Sequence, residues 1–323
     1  MSEKIFEKVD SSLLDSLLGF QELKPLDDLE QNLNSVRRLS QERHDLSIST
    51  LKLPASISFE KLEFKSFDGS RVFLRMIRPI KISENLSILY WMHGGGYILG
   101  SAFQDDAFLA NLADYLNCCV ISVDYRLAPE FPYPTPLLDC VEGLRYVLSE
   151  HKALGLNKDK VILGGVSAGG GLAAGLGLYV RDNKLLSPLG QILIYPMLDD
   201  RNNVPNPNSL SEHFVWGRSQ NDFAWYAYLG KREHRDSIEV YAAPARSQNL
   251  RCSPETFVAI GDLDIFLNEN IKYAEQLRDD GVLCEMHIYS GAYHGFIGLA
   301  PSAAITLRCL DDIKFFSSRI LNA

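Results

Sequence analysis

The sequence predicts an α/β fold: one mostly parallel sheet of eight strands, doubly wound by helices and opened by an antiparallel hairpin. Three observations predict it. From residue 87 onward, short apolar runs alternate with stretches of helical periodicity, the pattern of repeated strand–helix units. Ahead of them, Asp68-Gly69 lies between two strand-like runs, a hairpin signal. Third, the apolar run Val161-Ile162-Leu163 ends in Gly164-Gly165-Val166-Ser167-Ala168-Gly169 and passes into a helix of small residues. That is a strand, a sharp turn and a helix with a serine at the tip.

In chain order, residues 5–18 space Ile5, Phe6, Val9, Leu13, Leu14, Leu17 and Leu18 as one amphipathic helix. Pro25 ends it, and a more polar helical stretch continues to about His44. Neither is stable alone, so both must lie on something, either as a helix pair covering the core or as a mobile lid over a pocket. Strands 57–67 and 71–77 form the hairpin, and 87–92 is the third strand. Helix 106–116, strand 118–125 and a loop carrying Pro129, Pro132, Pro134 and Pro136 follow, then a helix to about Glu150. After the Ser167 turn and its helix come strand 191–195, strand 256–260, helix 268–280, strand Cys284–Tyr289 and a closing helix over 302–319. The stretch 199–240 interrupts the rhythm. It begins rich in Asn and Pro (Asn202, Asn203, Pro205, Asn206, Pro207) and turns aromatic (Phe214, Trp216, Phe223, Trp225, Tyr226, Tyr228). Its natural place is above the C-terminal strand ends, where open α/β sheets bind ligands.

The chain has 323 residues, 46% of them hydrophobic, and a net charge of −9. The core is ample, and the charge argues against nucleic acid as a partner. Charges interrupt the first residues too early for a signal peptide, and no run reaches membrane-span length. The six cysteines are scattered without a Cys-x-x-Cys pair, so the expected setting is reducing and cytoplasmic. No His and Cys spacing suggests a metal.

Gly165-x-Ser167-x-Gly169 fits a nucleophile elbow. A side chain at either glycine would collide with the neighbouring strand or helix. The same pattern also fits a tight turn with a structural serine, so its partners decide. A serine nucleophile needs a base, an acid to orient the base, and donors for the oxyanion. In the order serine, acid, histidine, the base is His294, just past the last strand. Asp262 and Asp264 both follow strand 256–260 and both remain candidates for the acid, while Glu269 falls inside the next helix. Oxyanion donors should come from the amide of Ala168 and from the loop His93-Gly94-Gly95-Gly96.

Those motifs, with Asp124-Tyr125-Arg126-Leu127-Ala128-Pro129-Glu130, Tyr195-Pro196-Met197-Leu198-Asp199-Asp200-Arg201 and His294-Gly295-Phe296, resemble the hormone-sensitive-lipase-like esterases of the α/β-hydrolase superfamily, in family order over residues 85–300. The resemblance implies an α/β-hydrolase fold with a helical cap. Residues 1–55 would form an N-terminal cap segment and 56–323 the catalytic domain, with a cap insertion at about 203–235. It implies Ser167 as nucleophile, His294 as base, Asp264 as acid, and Gly95, Gly96 and Ala168 as oxyanion donors. His93 would brace the glycine loop. The substrate would be a short- to medium-chain carboxylic ester, with no metal or cofactor, and a homodimer through an edge strand or nearby helix stays open. Val166 stands where many members carry an acidic residue, and Ile265-Phe266 where many carry Pro-Leu. The competing readings are amide or lactone hydrolysis or acyl transfer at the same site, and a non-catalytic receptor on this fold.

Overall fold

Eight strands form where the apolar runs lie: β1 (Ile57–Lys65), β2 (Arg71–Pro79), β3 (Leu86–Met92), β4 (Cys119–Val123), β5 (Leu156–Val166), β6 (Gly190–Ile194), β7 (Glu255–Gly261) and β8 (Cys284–Tyr289). The computed structural model describes residues 3–22, 29–50, 53–81, 85–202, 214–230 and 237–322. Pro25, the Asn- and Pro-rich positions 203–207, and residues 203–213 and 231–235 of the expected cap insertion lie outside them.

The sheet order is β1-β2-β4-β3-β5-β6-β7-β8. Only β2 runs antiparallel to its neighbours; every other pairing is parallel. The central strands β4 and β6 are buried at every position, which is why they lack alternation: helices cover both faces. Helices α3 (Asp106–Leu116), α4 (Thr135–Ser149), α5 (Ala168–Asp182), α7 (Leu267–Asp279) and α9 (Ala304–Leu321) make those layers. The crossover from β3 to β4 steps one way along the sheet, and those from β4 to β5, β5 to β6 and β7 to β8 step the other. Right-handed crossovers therefore set α3 on one face and α4, α5 and α7 on the opposite one. The α3 helix packs against α9, and α4 against α5. Strand order reverses between β3 and β5, and a crevice opens there at the carboxyl ends of the strands.

Two sequence expectations are corrected. Residues 5–18 are not one helix: 3₁₀ turns at Glu3–Lys8 and Ser11–Leu13 precede α1 (Leu14–Glu22). The break has a local cause. The Asp10 carboxylate accepts from Ser12 N at 2.9 Å and from Ser12 Oγ at 2.6 Å, a side-chain cap that competes with helix continuation. Asp10 N also donates to Gly291 O at 3.0 Å, pinning the segment to the loop after β8. The apolar spacing still faces the core, since Val9, Leu13 and Leu17 are buried. Second, α2 (Leu29–Thr50) extends past His44. The aromatic part of the stretch after β6 holds a helix, α6 (Arg218–Leu229), with Trp225 and Tyr228 buried against Tyr97. A one-turn helix, α8 (Phe296–Leu299), follows β8.

Among the described residues, no helix is long and apolar enough to cross a membrane. All six cysteines are free thiols, four of them buried (Cys118, Cys119, Cys140, Cys309).

The elbow glycines are fixed by contact rather than by composition. A Cβ at Gly165 would overlap the Gly169 carbonyl, and one at Gly169 would overlap the carbonyls of Met92 and His93. Gly165→Ala is therefore expected to destabilise the fold by about 2–3 kcal/mol through overpacking, read as a lower midpoint in urea unfolding. Gly19→Ala in α1, where a Cβ meets open space, should instead raise the midpoint slightly, by about 0.5 kcal/mol.

Candidate active site

Ser167 sits between β5 and α5 with φ 57° and ψ −122°. Its N–H donates to Ile194 O at 2.8 Å, and its carbonyl accepts from Met197 N at 3.0 Å and Gly171 N at 3.1 Å. The backbone is thus tied to both β6 and α5, and the side chain is left to point out of the turn. The first turn of α5 lies directly behind it, and its exposed amides favour negative charge there.

Ser167 Oγ is 2.9 Å from His294 Nε2, and His294 Nδ1 is 2.7 Å from Asp264 Oδ2. A carboxylate accepts only, so Nδ1 carries the imidazole proton and Nε2 is left to accept from the serine hydroxyl. The second Asp264 oxygen accepts from Phe266 N at 2.9 Å. All three residues are buried. The rings of Tyr195 and Phe266 stand edge-on to the imidazole, at 4.9 and 5.1 Å between centroids, and fix its plane.

The two aspartates differ in what they touch. Asp262 accepts from Gly291 N at 2.7 Å and Ser290 Oγ at 3.0 Å, tying the β7 and β8 loops together without touching His294. Leu263 N donates to Ala292 O at 3.0 Å in the same tie. Glu269 lies in α7, as expected, and is also buried. It accepts from Leu198 N at 2.7 Å, Asp199 N at 3.2 Å and Asn202 Nδ2 at 2.6 Å. Burial raises its carboxyl well above the usual range.

Gly95 (φ 118°) and Gly96 (φ 60°) follow β3 across the crevice from Ser167. Among the described residues, the amides of Gly95, Gly96 and Ala168 donate to no backbone acceptor. His93 braces this loop. It stacks on Tyr125 at 4.1 Å, its Nδ1–H donates to Gly94 O at 2.8 Å, and Tyr125 Oη donates to His93 O at 2.7 Å. Burial pushes the His93 imidazole down to about 4, so it is a neutral strut at physiological pH.

Above the serine lies a cavity of about 380 Å³ whose wall includes Leu99, Phe108, Ile194, Val215, Trp216 and Ile297. Phe20, Val36 and Leu39 of α1 and α2 also reach it. The Trp216 ring lies against Gly96, where a Cβ would come within 2.6 Å of the indole.

Two supports were not foreseen from the sequence. Asn270 Nδ2 donates to Pro196 O at 2.9 Å, so it and Glu269 together clamp the loop after β6. Arg37 reaches from α2 to Ile98 O and Ala128 O, both at 2.8 Å, and pairs with Glu130 at 2.7 Å. A polar residue on a weakly amphipathic helix carries no signal for such a contact; the Glu-Asn pair opening α7, just after a strand-end loop, could have given one.

Residues 89–298 match the family described as the alpha/beta hydrolase fold. An arylesterase of Saccharolobus solfataricus is 32% identical over 226 residues, 70% of this chain and 72% of that protein. An acetyl esterase of Salmonella schwarzengrund is 28% identical over 254 residues, 77% of each. A solved bacterial heroin esterase superimposes with a TM-score of 0.88 at 30% identity, covering 98% of this chain and 99% of that one. In fold, strand order and the disposition of its motifs, the chain belongs to the α/β-hydrolase fold family, as its resemblance to hormone-sensitive-lipase-like esterases implied.

Proposed function

We propose that the protein is a serine carboxylesterase acting on short- to medium-chain esters, with Ser167 as nucleophile, His294 as general base and Asp264 as the acid that orients it. The observation that carries this reading is the pair of hydrogen bonds Ser167–His294–Asp264, at 2.9 and 2.7 Å, facing amides with no backbone partner. The relatives named as esterases support an ester as the substrate class.

In this mechanism Ser167 Oγ attacks the ester carbonyl carbon as its proton passes to His294 Nε2. Asp264 stabilises the imidazolium through Nδ1. The tetrahedral oxyanion accepts from the N–H groups of Gly95, Gly96 and Ala168. Collapse breaks the C–O bond, and the leaving alkoxide takes the proton from His294. Water then attacks the acyl-Ser167 carbonyl, giving its proton to His294, and the carboxylic acid leaves as the serine hydroxyl is restored. The cavity of about 380 Å³ suits acyl or alcohol groups of moderate length. Residues 1–55 and about 203–235 act as the cap of a catalytic domain spanning 56–323, a reading supported by the reach of Phe20, Val36, Leu39 and Trp216 into the cavity. A cytoplasmic setting is supported by the free thiols.

Ser167→Ala should lower kcat by about 10⁴-fold or more, measured on nitrophenyl butyrate near pH 8; near-wild-type turnover would overturn the nucleophile. Asp264→Asn should cost about 10³–10⁴-fold, and Asp262→Asn, which leaves the His294 partner in place, about tenfold or less. Equal losses in the two variants would mean the carboxylates had been assigned wrongly. Arg37→Met leaves two carbonyls without their donor, at about 1–3 kcal/mol for each left unsatisfied. Across a chain-length series of esters, it should raise KM most for the longest acyl groups, which need the α2 wall.

A further inference from the structure

Asp105 takes no part in that mechanism, yet it faces the same cavity. Among the described residues it is the only acidic side chain in the cavity wall, and no Lys or Arg lines it. It is half-buried, and its Oδ2 accepts from Trp91 Nε1 at 2.9 Å. Its neighbour Asp106 turns away and pairs with Arg75 at 2.6 Å, whereas none of the ion pairs among the described residues includes Asp105. Burial, with the Asp106 charge adding to it, pushes the Asp105 carboxyl up to about 6, so it is ionised at pH 8. Hydrogen bonds from Trp91 and Gln104 offset part of the desolvation cost, but without a counter-ion the rest stands. A ligand that brings the cation offsets it. The surroundings suit one: the part-exposed Phe108 ring stands in the wall beside Asp105, backed at 5.5 Å and 52° by the buried Trp91 indole, and aromatic faces attract ammonium groups.

We propose that the Asp105 end of the cavity, flanked by Phe108, is a subsite for an ammonium group, so that the preferred substrate is an ester bearing a cationic amine. The substrate statement rests on the esterase reading; the subsite itself is testable without turnover. The test titrates the wild-type full chain with n-butylammonium and with 1-butanol at pH 8 and physiological salt, followed by tryptophan fluorescence, since Trp91 and Trp216 both line the cavity. The ammonium should bind about tenfold more tightly than the alcohol. Asp105→Asn, nearly isosteric and still able to accept from Trp91, should erase that difference. Alcohol bound as tightly as ammonium by the wild type, or an ammonium preference that persists in the variant, overturns the subsite. In parallel, kcat/KM for aminoalkyl and alkyl esters of matched length should differ about tenfold in the wild type and converge in Asp105→Asn. If no ester turns over, the esterase reading fails, while the titration still decides the subsite.

Discussion

The left-handed backbone of Ser167 is the constraint that the centre of the molecule is arranged to satisfy. A non-glycine residue in such a conformation costs about 1–3 kcal/mol and persists only where its surroundings over-determine it. Here three hydrogen bonds do so, one to β6, one from the loop after β6 and one from α5. The glycines at 165 and 169 make the approach of those elements sterically possible, and the carbonyls of Met92 and His93 press on the turn from β3. Even Tyr195, at φ 35°, bends to bring Met197 N to the serine carbonyl. Three adjacent strands therefore converge on one residue, at the point where strand order reverses.

His294 and Asp264 depend on a second convergence further along the sheet. A Cβ at Gly261 would overlap the Ala292 carbonyl, so the ends of β7 and β8 come close enough for Asp262 and Leu263 to bind the opposite loop. That tie sets the distance between Asp264 and His294. Glu269 and Asn270 extend the same logic to the loop after β6, which carries the Ser167 anchor Met197 and the His294 neighbour Tyr195. A buried carboxyl and a buried amide are costly to desolvate, and here their hydrogen bonds go to loop backbone that would otherwise lack partners. None of these groups hydrogen-bonds to Ser167; each holds a loop that carries one of its partners.

The parts of this arrangement that were legible in the sequence are those governed by backbone sterics and strand periodicity. Gly165, Gly169, Gly95 and Gly96 advertise close approach, β8 was read with its observed limits, and the motif order placed Ser167 and His294 at one sheet edge. Asp262 and Asp264 could not be separated by spacing, because two positions apart on a loop either can face the histidine; only their hydrogen bonds distinguish them. The N-terminal break at Asp10 was hidden because the apolar spacing of Val9, Leu13 and Leu17 survives a change from 3₁₀ to α geometry. Arg37 and Asp105 were illegible for another reason. A charged residue on a helix, or at its start, reads as solvated surface until the packing of distant elements turns it inward.

That difference separates the two halves of the site. The hydroxyl, imidazole and carboxylate stand on strand ends whose spacing the sheet dictates, so their geometry follows from the fold. The cavity wall is assembled from α1, α2, α3, the segment before α6 and the α8 turn, elements that the sheet positions only loosely in sequence terms. Asp105 stands in that wall at the start of α3, where its backbone carbonyl accepts from Leu109 N at 2.9 Å. On the proposed reading, Asp105 would place its negative charge where it meets the part of the substrate away from Ser167.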